Sequence, residues 1–168
     1  TPVASSAPTV SSSAQPTGTP YAGSTLTSAV TFNGAPEPTL AYQWKSCTSA
    51  TDVATCTTIS GATSATYVPT SSDVNQFILV TVTATNIVDF LAVNSTPTAV
   101  IKEAVTISGP SGAQSGTSGT SITMNFSASG GTPNYSYTVA SGSLPAGLTL
   151  DSSTGQLSGT PTTAGSYT

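Results

Sequence analysis

The stretch of residues 40–47, LAYQWKSC, constrains the fold more than any other part of the chain. It contains the only tryptophan among 168 residues, and its large side chains alternate with small or polar ones. A period of two places Leu40, Tyr42 and Trp44 on one face of a β-strand. Because a large aromatic in mid-strand typically fills the space between two stacked sheets, we expect Trp44 to lie at the centre of a sandwich core.

The same alternation recurs further along the chain and defines the candidate core residues. In the longest predicted strand, aliphatic residues of one parity alternate with residues, mostly threonines, that face water. The core predicted for the first half of the chain comprises Leu26, Val30, Tyr42, Trp44, Ile78, Val80 and Val82. The core predicted for the second half comprises Ile122, Met124, Phe126, Leu148, Leu150 and Leu157. Turn-forming residues predict a hairpin connection at residues 86–90 and a short β-hairpin whose turn is residues 151–155, in which Asp151 accepts backbone hydrogen bonds.

Composition supports an all-β fold for the whole chain. Ser and Thr make up more than a third of the residues, while the strong helix formers are scarce. Thr and Val favour strands, whereas Ser, Gly and Pro favour turns, so no helix is predicted. We expect two tandem β-sandwich domains, residues 20–102 and 103–168, preceded by an extended Ser/Thr/Pro-rich arm or linker, residues 1–19.

The predicted arm is too polar to fold alone. Its only larger apolar residues are Val3 and Val10, and its prolines favour an extended chain. We therefore regard Val3 and Val10 as candidate anchors of an assembly arm, which would pair with another molecule.

The two cysteines, Cys47 and Cys56, are predicted to form a disulfide. An even number of cysteines in a short, loop-rich chain favours a disulfide in an oxidising compartment. Because Cys47 ends the Trp44 strand, the bridge would close a local hairpin and leave the core to Trp44 and the aliphatic residues. The alternatives are two reduced cysteines in a cytosolic protein and a zinc site, although two thiols without histidine fill only half of a tetrahedral shell.

Several motifs resemble known families of surface proteins. YQWKSC (42–47), ISGAT (59–63), DVN (73–75) and VTATN (82–86) resemble the immunoglobulin-like repeats of bacterial cell-surface proteins. GGTPNYSY (130–137) and LPAGLTLDSSTGQLSGTP (144–161) resemble the putative-Ig family, which is related to cadherin-like sandwiches. The resemblance implies two immunoglobulin-like sandwiches. Family members usually continue through another strand after the position of Tyr167, so we expect the second sandwich to lack its last strand, supplied either in cis or by another molecule.

The inventory of side chains argues against several classes of function. Histidine is absent, which excludes Ser-His and Cys-His nucleophiles, and the six acidic residues are dispersed over separate turns. We predict no enzymatic activity, no metal site and no cofactor. With two lysines, no arginine and a formal net charge of -4, nucleic acid is not an expected partner. No apolar run of about 18 residues occurs, so no transmembrane segment is predicted.

The expected function is that of a non-enzymatic structural or adhesive module of an extracellular, bacterial cell-surface or filament-forming protein. The alternatives are a surface or fibre module of a phage virion and a carbohydrate-binding module that uses exposed tyrosines. Expected partners are further copies of the chain, neighbouring repeats of the same protein, or surface glycans. Asn94, Asn125 and Asn134 match the N-glycosylation acceptor pattern and are candidate sites of modification.

Overall fold

The computed structural model describes residues 4–167, and its longer regular elements are all β-strands. The chain divides into two compact units, residues 1–104 and 105–168. Within the described residues, the only helical elements are two short 3-10 helices, Val53–Thr55 and Ser71–Asp73. The prediction of an all-β fold is confirmed. The strands of the first unit are β1 (Ser6–Ser13), β2 (Leu26–Thr27), β3 (Val30–Ala35), β4 (Thr39–Cys47), β5 (Cys56–Thr58), β6 (Thr66–Tyr67), β7 (Phe77–Thr85) and β8 (Phe90–Asn94).

The strands of the first unit form two facing groups. One group is a four-stranded antiparallel sheet in the order β5-β4-β7-β8, in which Trp44 lies opposite Val80. The other group consists of the pairs β1-β3 and β2-β6. The ring of Trp44 in β4 stacks on that of Tyr67 in β6, with ring centroids 5.7 Å apart. This contact joins the two groups across the core, as expected for a sandwich.

Trp44 lies at the centre of this core. Its side chain is fully buried, and its Nε1 donates a hydrogen bond to the backbone oxygen of Ser64 at 2.8 Å. Tyr42 is half-buried and packs against the core, whereas Leu40, near the start of β4, is 39% exposed. Burial on this face of β4 therefore decreases from Trp44 toward Leu40, at the end of the sheet where β4 begins. The buried cluster comprises Leu26, Val30, Trp44, Ile78, Val80, Val82 and Ile101.

The outer face of β7 departs from the predicted alternation. Leu79 is fully buried, although its parity places it with Thr81 and Thr83. It lies opposite Lys45, and the buried Cys47 follows Lys45 on the same face of β4. A second buried patch therefore lies beside the cysteine, outside the core that Trp44 defines.

The predicted disulfide between Cys47 and Cys56 is present, with the two Cα atoms 3.9 Å apart. Cys47 ends β4, Cys56 begins β5, and the two residues are direct partners in the antiparallel pair. The bridge therefore joins neighbouring strands of one sheet and closes residues 48–55 into a local loop. The prediction of a local bridge, outside the core between the sheets, is confirmed.

Reduction of this disulfide is expected to destabilise residues 48–55 and leave the Trp44 core intact. A bridge that closes a loop of this length contributes roughly 2.5–3 kcal/mol in the loop-entropy model. The free energy of unfolding measured in denaturant should fall by up to that amount, while the emission of the folded protein stays unchanged. A Cys47→Ala/Cys56→Ala variant should lose at least as much without reductant, because it also truncates the buried side chain of Cys47. A red shift of Trp44 emission under native conditions would contradict this expectation.

Residues 6–13, predicted to belong to an extended arm, form β1 of the first unit instead. β1 pairs antiparallel with β3 and places Val10 opposite Phe32. Pro8 is buried and lies at a shift in register between Ser6 and Thr9. Its missing N–H thus falls where the ladder is already irregular. Main-chain pairing needs few apolar side chains, which is why the hydrophobic pattern failed to predict this strand.

The proposed role of this segment as an assembly arm is corrected accordingly. Val10 belongs to a strand that pairs with β3 within its own unit, so residues 6–13 are part of the first unit rather than a free arm. Val3 lies outside the described residues.

The chain after β8 completes the edge of β7 with hydroxyl groups. Ser95 and Thr98 are buried on either side of Pro97. The Ser95 Oγ accepts a hydrogen bond from the backbone N–H of Val80, and the Thr98 Oγ1 accepts one from that of Ile78. These two hydroxyls keep the edge of β7 hydrogen-bonded where proline interrupts a regular strand.

The second unit consists of two small antiparallel sheets. Its strands are β9 (Thr106–Ser108), β10 (Ile122–Asn125), β11 (Ser127–Ser129), β12 (Leu148–Leu150) and β13 (Gln156–Gly159). One sheet has the strand order β10-β13-β12, and the other pairs β11 with β9. Because the strands are short and their connections long, they offer little apolar surface for burial between the sheets.

The predicted core of the second unit is only partly enclosed. Leu148 is buried, whereas the other five predicted core residues are half-buried: Ile122, Met124, Phe126, Leu150 and Leu157. Val105 and Ile107 are exposed. The expectation of a buried second core is therefore corrected, because its two small sheets do not cover these side chains completely.

The hairpin predicted around Asp151 is confirmed. Leu150 pairs with Leu157, and the backbone N–H of Asp151 donates to the oxygen of Gln156. The Asp151 carboxylate accepts hydrogen bonds from the side chain and backbone of Ser153 and from the backbone N–H of Thr154. These bonds lower the pKa of Asp151 to about 2. Asp151 is therefore a turn-stabilising residue, as the sequence predicted.

Gly155 closes the same turn in a conformation that favours glycine. Its φ angle is 72°, and a Cβ at this position would lie 2.5 Å from the backbone oxygen of Phe126. A side chain would therefore meet both backbone strain and a steric clash, so the hairpin requires glycine here.

Candidate interaction surface

The described residues contain no constellation typical of a metal or catalytic centre. No group of three or more His, Cys, Asp and Glu side chains in residues 4–167 could hold a metal ion. Nor do these residues include a helix long and apolar enough to cross a membrane. The buried Asp73 accepts hydrogen bonds from Tyr67 Oη and from the backbone and side chain of Thr70. Asp73 therefore belongs to the framework of the first unit.

An exposed apolar surface lies at one end of the four-stranded sheet. The β7–β8 turn exposes Ile87 by 83%, Phe90 by 66% and, to a smaller extent, Val88. Pro36 and Glu37 of the β3–β4 connection are exposed beside it. We call these five residues the loop-end surface. Large apolar side chains exposed in a turn and directly after it are unusual, because turns favour polar residues and glycine.

The strand register brings these two connections together. Thr39 at the start of β4 lies opposite Thr85 at the end of β7, and Thr85 lies opposite Phe90 at the start of β8. The connections between β3 and β4 and between β7 and β8 therefore emerge side by side at one edge of the sheet.

Asn86 fixes the positions of three segments at this end. Its Nδ2 donates to the backbone oxygen of Ser6 at 2.7 Å and to that of Pro36 at 3.1 Å. Its Oδ1 accepts from the backbone N–H groups of Val88 and Asp89. The beginning of β1, the β3–β4 connection and the β7–β8 turn are thus tied to one side chain. This network supports the turn from which Ile87 projects into solvent.

Two open depressions flank Pro36 and Ile87. One, of about 330 Å³, is also lined by Glu37, Thr39, Thr85 and Asn86. The other, of about 380 Å³, is also lined by Ala4, Ser5 and Ala35. Both are open depressions on the surface of the first unit.

The loop-end surface carries negative charge and lies far from both lysines. Glu37 and Asp89 are exposed at this end. Lys45 lies about 20 Å along β4 from Thr39 at the usual rise per strand residue. The backbone N–H of Ile101, the residue before Lys102, donates to the backbone oxygen of Gln76, just before β7 begins. Lys102 therefore lies near the start of β7, about 30 Å from the end of that strand at the usual rise per residue. Charges this far apart are largely screened at physiological salt.

The predicted site residues are scattered over both units. Asn94 is exposed at the end of β8, and its Oδ1 accepts a hydrogen bond from Thr81. Asn125 is exposed in β10 and accepts a hydrogen bond from Gln156, while Asn134 is exposed in a turn with a φ angle of 79°. Asn94 belongs to the first unit, and Asn125 and Asn134 belong to the second. Their glycosylation stays a prediction.

Sequence reasoning identified the 86–90 connection but missed the loop-end surface. The signal was present, because Ile87, Val88 and Phe90 are apolar residues in a predicted turn. Their proximity to Pro36 depends on the pairing of β4 with β7, which the pattern of a single segment does not specify.

Comparison with known proteins gives a family match for the second half of the chain. Residues 91–168 match the model of the family described as Putative Ig domain. The match begins in β8 and covers slightly less than half of the chain. It includes the LPAGLTLDSSTGQLSGTP motif, so the predicted resemblance of the second domain is confirmed. A search of curated proteins found no match.

The fold and this match define the class of protein. The described residues are all-β, with several small antiparallel sheets as expected for immunoglobulin-like sandwich domains. Domains of this class are typically non-catalytic and serve structural or adhesive roles.

Proposed function

We propose that this chain is a non-enzymatic module of an extracellular protein and mediates adhesion or assembly at the surface of a bacterial cell or filament. The observation that carries the proposal is the loop-end surface, where Asn86 holds the exposed turn that contains Ile87 and Phe90 is exposed at the start of β8. A stable framework that exposes apolar side chains is typical of interaction sites.

The covalent chemistry of the first unit supports an extracellular location. A structural disulfide such as Cys47–Cys56 is characteristic of secreted and surface proteins, because cytosolic thiols are normally kept reduced. Only 5% of the residues are charged, so hydroxyl groups supply much of the polar surface. Both features suit a module of a secreted, hydroxyl-rich protein.

The tyrosines give less support to the carbohydrate-binding alternative. Tyr135 donates to the backbone oxygen of Gly130, and the Tyr137 hydroxyl accepts from the backbone N–H of Ala128. Tyr67 bonds Asp73 and stacks on Trp44. These three tyrosines have partners within the protein, and the hydroxyl of the exposed Tyr167 forms a hydrogen bond with that of Thr163. The apolar side chains of the loop-end surface, by contrast, project outward.

An attachment assay tests the proposed function. Beads coated with the full chain should attach to cells or filaments of the source organism, and Ile87→Ser/Phe90→Ser should reduce attachment severalfold. Val53→Ser/Val68→Ser removes two other exposed apolar residues of the first unit and is the matched control. Circular dichroism should show that all three proteins are folded.

Other outcomes of this comparison identify the alternatives. Equal attachment by all three proteins would contradict a role for the loop-end surface. Immunogold labelling of purified virions, with none on cells, would favour the phage module. Binding to a glycan array that persists in the loop-end variant would favour the carbohydrate-binding module.

A further inference from the structure

We infer that the loop-end surface binds a segment of a different protein that combines apolar side chains with lysine or arginine. This inference rests on the proposed function and specifies the chemistry of the partner. It follows from the placement of charge around the apolar side chains.

Two carboxylates flank the apolar centre. Glu37 lines the same depression as Pro36 and Ile87. Asp89 lies between Val88 and Phe90 in the turn, and its backbone N–H is held by Asn86. Its Oδ1 also accepts the backbone N–H of Phe90. Both acids are exposed, so a docking partner would approach negative charge beside the apolar residues.

Among residues 4–167, no lysine lies near these acids. Lys45 is half-buried on β4, and both lysines of the sequence lie about 20–30 Å along the strands from this end. The screening length at physiological salt is about 8 Å. The two carboxylates therefore favour a partner that brings its own positive charge.

A second copy of the chain is a poor partner for this surface. A symmetric contact would place the same patch on both molecules, so Glu37 and Asp89 would face like charges. The formal net charge of -4 adds a long-range repulsion between copies. A cationic, partly apolar segment satisfies both the charge and the exposed side chains.

An extended segment could contact both depressions, because they share Pro36 and Ile87. One is also lined by Ala4 and Ser5, and the other by Thr39 and Thr85. Apolar side chains of the partner would cover Ile87 and Phe90, and its cations would lie near the carboxylates at the rim. Charged rim contacts of this kind mainly determine specificity and association rate.

Selection from a random peptide library displayed on phage tests the chemistry of the partner. The full chain serves as target, and Ile87→Ser/Phe90→Ser serves for counter-selection against peptides that bind elsewhere. Enriched peptides should combine Lys or Arg with Leu, Phe or Trp. Calorimetry with a synthetic peptide should show affinity that weakens with salt and falls by roughly two- to fivefold for each of Glu37→Gln and Asp89→Asn.

Glu103→Gln removes an exposed acid outside the loop-end surface and should leave the peptide affinity unchanged. Neutral or acidic enriched peptides, the absence of enrichment, or equal affinity in the Glu37 and Asp89 variants would overturn the inference. A dimer of the chain that is detected by sedimentation velocity and is lost in the Ile87→Ser variant would also overturn the inference. Enrichment of neutral peptides that still require Ile87 and Phe90 would leave the proposed interaction function standing.

Discussion

Trp44→Ala is expected to lower the free energy of unfolding by about 3–5 kcal/mol. The indole is fully buried, stacks on Tyr67 and donates a hydrogen bond to the backbone oxygen of Ser64. Truncation would remove contacts between the two groups of strands and leave a cavity at their centre. It would also leave the Ser64 oxygen without this donor. Chemical denaturation followed by circular dichroism measures the change.

Phe90→Ala is the matched control for Trp44→Ala, because it truncates an exposed aromatic in the same sheet. We expect its effect on stability to be small, within about 0.5 kcal/mol. Trp44→Phe should cost less than Trp44→Ala, since it retains part of the ring packing. A loss below about 1 kcal/mol for Trp44→Ala would show that the core tolerates the missing side chain.

Asp73→Ala is expected to destabilise the first unit by about 2–4 kcal/mol. Its Oδ2 accepts from Tyr67 Oη at 2.7 Å, from the backbone N–H of Thr70 at 2.8 Å and from Thr70 Oγ1 at 3.1 Å. Loss of the carboxylate leaves these donors in a partly buried site without their acceptor. Asp73→Asn should cost less, because its amide oxygen can still accept hydrogen bonds.

Asp151→Ala is the control for Asp73→Ala. The Asp151 carboxylate also accepts three hydrogen bonds, but it lies in an exposed turn where water replaces lost partners. Its loss should therefore destabilise the protein clearly less. If both variants lose the same stability, burial of Asp73 is not the reason for its contribution.

The pH dependence of stability checks the same network. Burial raises the pKa of Tyr67 above its ordinary value, and the hydrogen bond and charge of Asp73 raise it further. The unfolded chain therefore releases the phenolic proton first, and the free energy of unfolding should fall as pH rises above about 10. The total loss of stability above pH 10 should be smaller in Asp73→Ala, because the pKa of Tyr67 is then raised by burial without Asp73. An unchanged total loss would contradict the role of Asp73.

Local patterns were sufficient for much of the fold. The alternation around Trp44 predicted a strand with one buried face, and turn chemistry predicted the hairpin around Asp151. The cysteine pair predicted a local bridge because Cys47 ends the Trp44 strand. Each of these features depends on residues close together in the sequence, or on a period that one segment displays.

Features that depend on distant segments were missed. β1 forms from a polar, proline-containing stretch because β3 provides main-chain partners. Leu79 is buried on a face that alternation assigned to water, beside the Cys47 patch. Ser95 and Thr98 bond the backbone of β7 across a proline. None of these partners is specified by the segment itself.

The sequence by itself determined the all-β class, the positions of the main turns, the disulfide and the central place of Trp44. These follow from side-chain period, turn preference and the chemistry of a cysteine pair. Only the tertiary structure decided that residues 6–13 belong to the first unit and that Pro36, Ile87 and Phe90 form one surface. The physical reason is strand register: pairing of β4 with β7 and β8 joins connections that are about fifty residues apart in the chain.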